Sequence, residues 1–502
     1  MRLTHWLAGL ARQSPGSRRF TRRKRNADTA QAVELLEDRT LLAAPHPFEL
    51  ATLDGSNGFR LDGIDANDSF GESVSSAGDL NGDGFDDFLV GASEADANGD
   101  NNAGETYVVF GSGNGFAASF DLSTLDGANG FRIDGIDAQD RSGYSVSNAG
   151  DVNGDGHHDI LIGAPLASPS DESEAGETYL VFGSDSGFSS SLDLSSLNGS
   201  NGFRLDGDEA MDISGIAVSS AGDINGDGYD DILIGAPSPD AGESYVVFGK
   251  SDGWAPSLFL STLNGSDGFR LDGIDTSDGA GGAVSAAGDI NGDGYADLLV
   301  GAPKADRPGE DSAGETYVVF GSESTFPAVF ELSGLDGTNG FRIDGIDGGD
   351  QAGAAVSPAG DINGDGLSDI LIGAHGVSPA GETYVVFGAD TGFEASLILS
   401  VLDGSNGFRL IGDDGNAGLS VSTAGDVNGD GFDDILVGAP GGDNHAGETY
   451  VVFGKGDAFS ATLTLKTLNG VNGFRIDGID GSDDRSGESV SSAGDFNGDG
   501  YD

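Results

Sequence analysis

The 502-residue chain contains no cysteine, so no disulfide closes any of its loops. An extracellular protein of this size that lacks disulfides needs another staple, and a bound metal is the obvious one. Basic residues are scarce: 23 Lys and Arg stand against 84 Asp and Glu, a formal net charge of −61. Nine of those basic residues lie within residues 1–39, which leaves 14 against 80 acidic residues in the remainder. Such a body makes nucleic acid and anionic membrane poor partners and cations good ones. No apolar run approaches the ~20 residues of a membrane-spanning helix. Histidines stand at 5, 46, 157, 158, 375 and 445 in no repeated relation. With no nucleophile beside a base, no phosphate loop and no zinc set, the chain is not expected to be an enzyme. Acidity alone can mean disorder, but 37% of the residues are hydrophobic, and Phe and Tyr recur at fixed places.

Those fixed places define a repeat. The run "AGDINGDGYDDILIGAP" (221–237) is written six times and begun a seventh. Its first Asp falls at 79, 151, 223, 289, 361, 426 and 495, giving spacings of 72, 72, 66, 72, 65 and 69. Each unit carries four strand signals. "SVSSAGD" (73–79) is built of small residues, as a crowded inner strand is. "DILIGAP" (231–237) and "ETYVVFG" (105–111) are continuous apolar runs, as in strands covered on both faces. "GFRLDGI" (58–64) alternates apolar with charged residues and reads as an outermost strand with one wet face. Glycine, 87 residues, suits many tight turns, and helical periodicity does not appear in the repeats. A small sheet with two apolar faces is stable only when copies stack around an axis.

The expected fold is therefore all-β: a seven-bladed β-propeller of four-stranded antiparallel blades over residues 48–502, with the last blade incomplete. The stretch 48–64 supplies an outermost strand before the first inner one, so it is expected to complete the seventh blade and close the ring. The seventh unit stops at Asp502 before its two middle strands, and the sequence is read as truncated.

Each acidic run has the form D-x-N-x-D-G-x-x-D. Side-chain oxygens at positions one, three, five and nine, with a main-chain carbonyl at seven and Gly at six for the sharp turn, form the oxygen set that Ca²⁺ takes. The candidate ligands are Asp79, Asn81, Asp83, Phe85 and Asp87; Asp151, Asn153, Asp155, His157 and Asp159; and Asp223, Asn225, Asp227, Tyr229 and Asp231. They continue as Asp289, Asn291, Asp293, Tyr295 and Asp297; Asp361, Asn363, Asp365, Leu367 and Asp369; and Asp426, Asn428, Asp430, Phe432 and Asp434. The seventh, partial set is Asp495, Asn497, Asp499 and Tyr501. About one calcium ion per complete repeat is expected, six in all plus a partial seventh site. Mg²⁺ prefers a stricter octahedron with retained waters and ranks second. A solvated acidic turn is the bland alternative for one such run; seven copies in one register argue against it.

The same residues carry a resemblance. "FGESVSSAGDLNGDGFDDFLVGAS" (70–93) resembles the FG-GAP repeat of the integrin α-subunit propeller, and the likeness spans about residues 48–502. Phe70 keeps the Phe-Gly pair, whereas later units read "SG" at 142–143 and 214–215 and "AG" at 352–353 and 417–418. The resemblance implies a seven-bladed propeller with calcium in the hairpins joining each inner strand to the next. It further implies an extracellular binding or adhesion module. The alternative is the non-catalytic propeller of a larger secreted enzyme. A protein or glycan ligand is expected on the face opposite the calcium loops. There the connections between strands two and three vary in length, nine residues at 94–102 and three at 238–240, whereas the 17-residue connections on the calcium face are constant.

Residues 1–44 stand apart as a basic, mostly disordered targeting or sorting segment. "RRFTRRKR" (18–25) is its basic run, and "AVELLEDRTLLAA" (32–44) reads as a short amphipathic helix. "HWLAGLA" (5–11) falls short of the apolar core of a conventional signal peptide. "LEDRTLLA" (36–43) resembles the LEPR-XLL segment of planctomycete surface proteins, with Asp38 where that pattern has Pro. That resemblance implies an extracellular or cell-surface location.

Overall fold

A computed structural model describes residues 47–501 except 238–239, 252, 414, 443–445 and 480–483. The N-terminal segment, with the helix and the LEPR-XLL resemblance read there, lies outside the described residues. The described elements are strands and three-residue 3-10 turns.

The first blade shows how the repeat folds. Its inner strand Phe70–Gly78 pairs antiparallel with Asp87–Ala92, that strand with Glu105–Val109, and that in turn with Gly130–Asp134. The two middle strands are the apolar runs, and nearly every residue in them is buried. The inner strands of successive blades adjoin around an axis, as small residues allow; Val146 N donates to Ser73 Oγ at 2.8 Å. Apolar side chains of neighbouring blades then fill each interface. In one cluster Leu89, Val108 and Phe131 of the first blade meet Ile160, Ile162 and Tyr179 of the second.

Two glycines set how closely the blades approach. A Cβ on Gly163, in the "GA" of the second blade's middle strand, would lie 2.0 Å from the Gly215 carbonyl oxygen of the third blade. The same meeting recurs from Gly91 on Gly143 to Gly438 on Gly487. This explains why the Phe of the Phe-Gly pair is dispensable here and its Gly is not: Gly143 and Gly215 have φ of 84° and 85° and lie against the preceding blade.

Two expectations are corrected. The outermost strand has no wet face: in Gly130–Asp134 only Arg132 is half-exposed. A fifth, parallel strand borrowed from the next unit covers its edge, Ser191–Asp193 pairing with Gly130–Asp134. Arg132 meanwhile sits between Asp134 (2.5 Å) and Glu105 (3.4 Å), and Tyr107 donates to the same Glu105. This Arg–Glu–Tyr cluster gives the recurring Glu of "AGETY" a structural role.

The second correction concerns the count: the structure holds six blades, not seven. A blade needs its two middle strands, and among the described residues the seventh unit presents only its two extremes. Residues 487–501 run where the seventh inner strand belongs. Ser420 Oγ of the sixth blade donates to Gly487 O at 2.8 Å, and Val74 N of the first blade donates to Ser489 Oγ at 3.2 Å. On the outside, Phe48–Glu49 pairs with the sixth blade's outer strand, and Arg60–Asp62 pairs with Ser119–Asp121 of the first. Phe59 stacks on Phe116 at 4.3 Å and meets the edge of Phe496 at 5.9 Å. Between these extremes the first blade is less covered than the others: Phe88 is half-buried where Ile160 and Ile232 are fully buried. A Cβ on Gly71, the counterpart of Gly143, would meet nothing within 4 Å.

Candidate metal-binding loops

Each acidic run forms the turn between an inner strand and its neighbour. In the third copy Asp223 folds the loop onto itself: its two carboxylate oxygens accept from Asp227 N (3.0 Å) and Gly228 N (2.9 Å). Asn225 Oδ1 accepts from Asp227 N (2.8 Å), and Asp227 Oδ1 from Tyr229 N (3.1 Å). Gly226 and Gly228 take φ of 74° and 90°, values that L side chains avoid. Asp231 is fully buried and spans two elements, accepting from Ile224 N (3.1 Å) and from Gly249 N (2.8 Å) at the end of the third strand. The first loop repeats this pattern with Asp79, Asn81, Asp83 and Asp87. The seventh repeats its first half with Asp495, Asn497 and Asp499.

The ninth-position carboxyl is electrostatically unusual. Burial pushes Asp87, Asp159, Asp231, Asp297 and Asp369 up to about 8 and Asp434 to about 7, and the position-one and position-five carboxylates of each loop push the same way. Main-chain N–H donors oppose the rise. Each of the six complete loops thus aims three acids and an amide at one turn, with no Lys or Arg in the run.

Among the described residues no three acidic or histidine side chains are already drawn together as a metal cluster. The donor set nevertheless fits a hard cation. It consists of oxygens alone, and in the sixth loop Asn428 Oδ1 and Asp434 Oδ2 are buried and accept no hydrogen bond. A cation in the turn would satisfy both open acceptors.

Position eight and the packing of one loop on the next were not singled out from sequence. His157 and His158 break the pattern of the second loop. The His158 ring bonds to Asn148 (3.1 Å), and both histidines pack against glycines of the first loop.

On the opposite face, the long connections lie against the segment that leads from their own blade's outermost strand to the following blade. Glu94 pairs with Arg141 at 2.9 Å, Asn102 O accepts from Arg141 N, and Arg307 donates to Gly345 O at 2.7 Å. This face also holds an acid-lined hollow of about 160 Å³ beside Asp212, Asp240 and Glu243. On the acidic-loop face, grooves of about 380 and 520 Å³ open beside Phe188 and Phe393. The equivalent rings in the third and sixth blades, Trp254 and Phe459, carry Lys250 and Lys455 over them.

With blade, loop and glycine contact in place, the comparison with known proteins follows directly. The units match the FG-GAP repeat. The matched residues are 70–109, 142–181, 214–247, 280–319, 352–386 and 417–452, one match per blade. Integrin alpha-PS5 of Drosophila melanogaster is 34% identical over 170 residues, 33% of this chain and 15% of that protein. Integrin alpha-IIb of Mus musculus is 35% identical over 185 residues, 35% of this chain and 16% of that protein. Phosphatidylinositol-glycan-specific phospholipase D of Bos taurus is 32% identical over 199 residues, 38% of this chain and 22% of that protein. The matches therefore span about a fifth or less of each relative. The chain thus carries six FG-GAP repeats folded as propeller blades, and part of it is similar in sequence to integrin α-subunits. No described helix is long and apolar enough to cross a membrane.

Proposed function

We propose that this chain is a calcium-stabilised binding module of an extracellular or cell-surface protein, and that it performs no catalysis itself. The observation that carries the reading is the buried ninth-position carboxylate in six loops, set among other acids and, in the sixth, with one oxygen, Asp434 Oδ2, left without a donor. Asp223, Asn225, Asp227, the Tyr229 carbonyl and Asp231, with their counterparts in the other loops, would hold the ion. Its positive charge would offset the mutual repulsion of these acids. The loop would then tie an inner strand to its neighbour at the position where a disulfide-free protein needs a staple. Asp231 extends that tie through Gly249 N to the third strand.

The binding surface we assign to the opposite face, where connections of unequal length ride on a rigid ring. Its partner would be a protein or a glycan. The match to a phospholipase D favours a second reading, in which the propeller is the non-catalytic part of a larger secreted enzyme. A hydrolase domain elsewhere in the same protein would support the second reading, and further repeats or an anchor the first.

Thermal unfolding with excess chelator and with millimolar calcium tests the core of the reading. Ligand that binds only the native state stabilises it by about 2.7 kcal/mol at a hundredfold excess over Kd, so the melting temperature should rise with calcium. A melt that does not move rejects the proposal.

A further inference from the structure

The loops form a chain of contacts rather than seven separate turns. Positions seven and eight of each run reach back to the preceding loop. At position eight the main-chain N–H donates to the carbonyl of the preceding first Asp, His158 to Asp79 (3.3 Å), Asp230 to Asp151 (3.3 Å) and Asp433 to Asp361 (3.4 Å). At position seven the side chain covers the preceding loop's position-four glycine: a Cβ on Gly154 would lie 2.4 Å from the Tyr229 ring, and one on Gly498 would lie 2.4 Å from Phe85.

At three of the six junctions whose position-eight residue is described, its side chain reciprocates. Asp230 accepts from Asp151 N at 2.8 Å, Asp433 from Asp361 N at 2.7 Å and Asp86 from Asp495 N at 2.8 Å. Three other junctions have His158, Ala296 and Ser368 there, none of them a carboxylate.

We propose that these carboxylate links couple cation occupancy between loops in pairs: second with third, fifth with sixth, and seventh with first. The inference rests on reading the loops as cation sites. Asp230 stands next to Asp231, a ligand position of the third loop, and grips the N–H of Asp151, the first ligand position of the second. When Asp231 is held, Asp230 is held, and Asp151 is ordered before its own loop fills. The second loop then gives up less conformational freedom on binding, and linkage makes the effect mutual. Ala296 offers no such grip between the third and fourth loops.

Hydrogen exchange of the full chain, read peptide by peptide across a calcium titration, gives one midpoint per loop. Asp223→Asn with Asp227→Asn disables the third loop and keeps Asp230. It should raise the second loop's midpoint about fivefold, the low end of typical coupling. The matching pair Asp289→Asn with Asp293→Asn should leave the third loop's midpoint in place. Two milder variants spare every ligand position. Asp230→Ala should make the second loop indifferent to the third, and Ala296→Asp should make the third loop respond to the fourth. An unmoved second-loop midpoint in the first variant, or equal shifts across the Asp230 and Ala296 junctions, overturns the coupling while leaving the cation sites standing. Loops that exchange alike with and without calcium in the unaltered chain overturn the cation sites and the coupling together.

Discussion

Replacing Gly301 by Ala tests the contact that spaces the blades. The added methyl would lie 2.1 Å from the Gly353 carbonyl oxygen of the next blade. Relief needs a shift of roughly 1 Å, because carbon–oxygen contacts much below 3.2 Å are repulsive. Neither side yields easily. Gly301 lies within a strand buried on both faces, and the Gly353 peptide is fixed by its N–H bond to Gly373 O at 3.0 Å. Overpacking of this kind costs about 1–3 kcal/mol, and with backbone as the obstacle the upper end applies. For a slope near 3 kcal/mol per molar urea, about 3 kcal/mol moves the unfolding midpoint down by about 1 M. Gly334→Ala is the control. Nothing lies within 4 Å of its new methyl and its φ is ordinary, so fewer unfolded conformations should make it neutral or about 0.5 kcal/mol more stable. Gly71→Ala falls between, with open space around it but a φ of 87°, at about 1–2 kcal/mol. Urea unfolding followed by circular dichroism at fixed calcium ranks the three. Equal midpoints for Gly301→Ala and Gly334→Ala would refute the account of blade spacing.

Three further outcomes are expected. Arg204→Ala leaves Glu177 and Asp206 buried without their cation (3.2 and 2.5 Å from it) and should cost about 3 kcal/mol, whereas Arg60→Ala, at an exposed pair, should cost under about 1 kcal/mol by denaturant unfolding. Burial, with Glu177 and Asp137 nearby, raises the Asp140 carboxyl to about 7. Because that lies above the unfolded value of about 3.9, its contribution is complete below pH 4 and is lost as pH rises through 7. Asp140→Asn should therefore flatten the pH profile and exceed the parent above pH 7 by on the order of 2 kcal/mol, the ~4 kcal/mol ceiling being reduced by partial solvent screening; parallel profiles at pH 5 and 8 count against it. Deleting residues 48–65 removes the strand pairs to the sixth and first blades and the Phe59–Phe116 stack, and should lower the melting temperature; an unaltered melt means that this stretch does not close the ring.

The parts of this fold that were legible in sequence are those whose cause is local. A run of small residues makes an inner strand, an apolar run makes a doubly covered one, and oxygens at alternate positions with Gly at six make a folded acidic turn. All three features recur at one spacing, which turns weak local signals into a firm register. Features set by residues about 70 positions away were not legible. The short strand Ser191–Asp193 is three residues of mixed character, and only the exposed edge of Gly130–Asp134 gives it a partner. The same cover buries Asp134, which the alternation of "GFRID" placed in water. Asp230 reads as one more acid in an acidic loop until the ring brings it to Asp151 N.

The seventh position separates two properties that sequence reading had joined. A closed ring and a complete set of blades are different structural demands. Blades require middle strands, and here six units have them. Closure requires only that the first and last units share contacts, and the loop face supplies these in a form that other junctions share. Asp86 grips Asp495, Phe85 covers Gly498, and Ser112 N donates to Phe496 O at 2.8 Å, as Ser184 N does to Leu80 O at 2.9 Å. The loop ring is therefore continuous where the sheets are not. At this junction the acidic-loop contacts act together with the inner-strand contacts of Gly487 and Ser489 and with the outer pairs of Phe48–Glu49 and Arg60–Asp62, so closure is shared between the loop face and the strands at its two extremes.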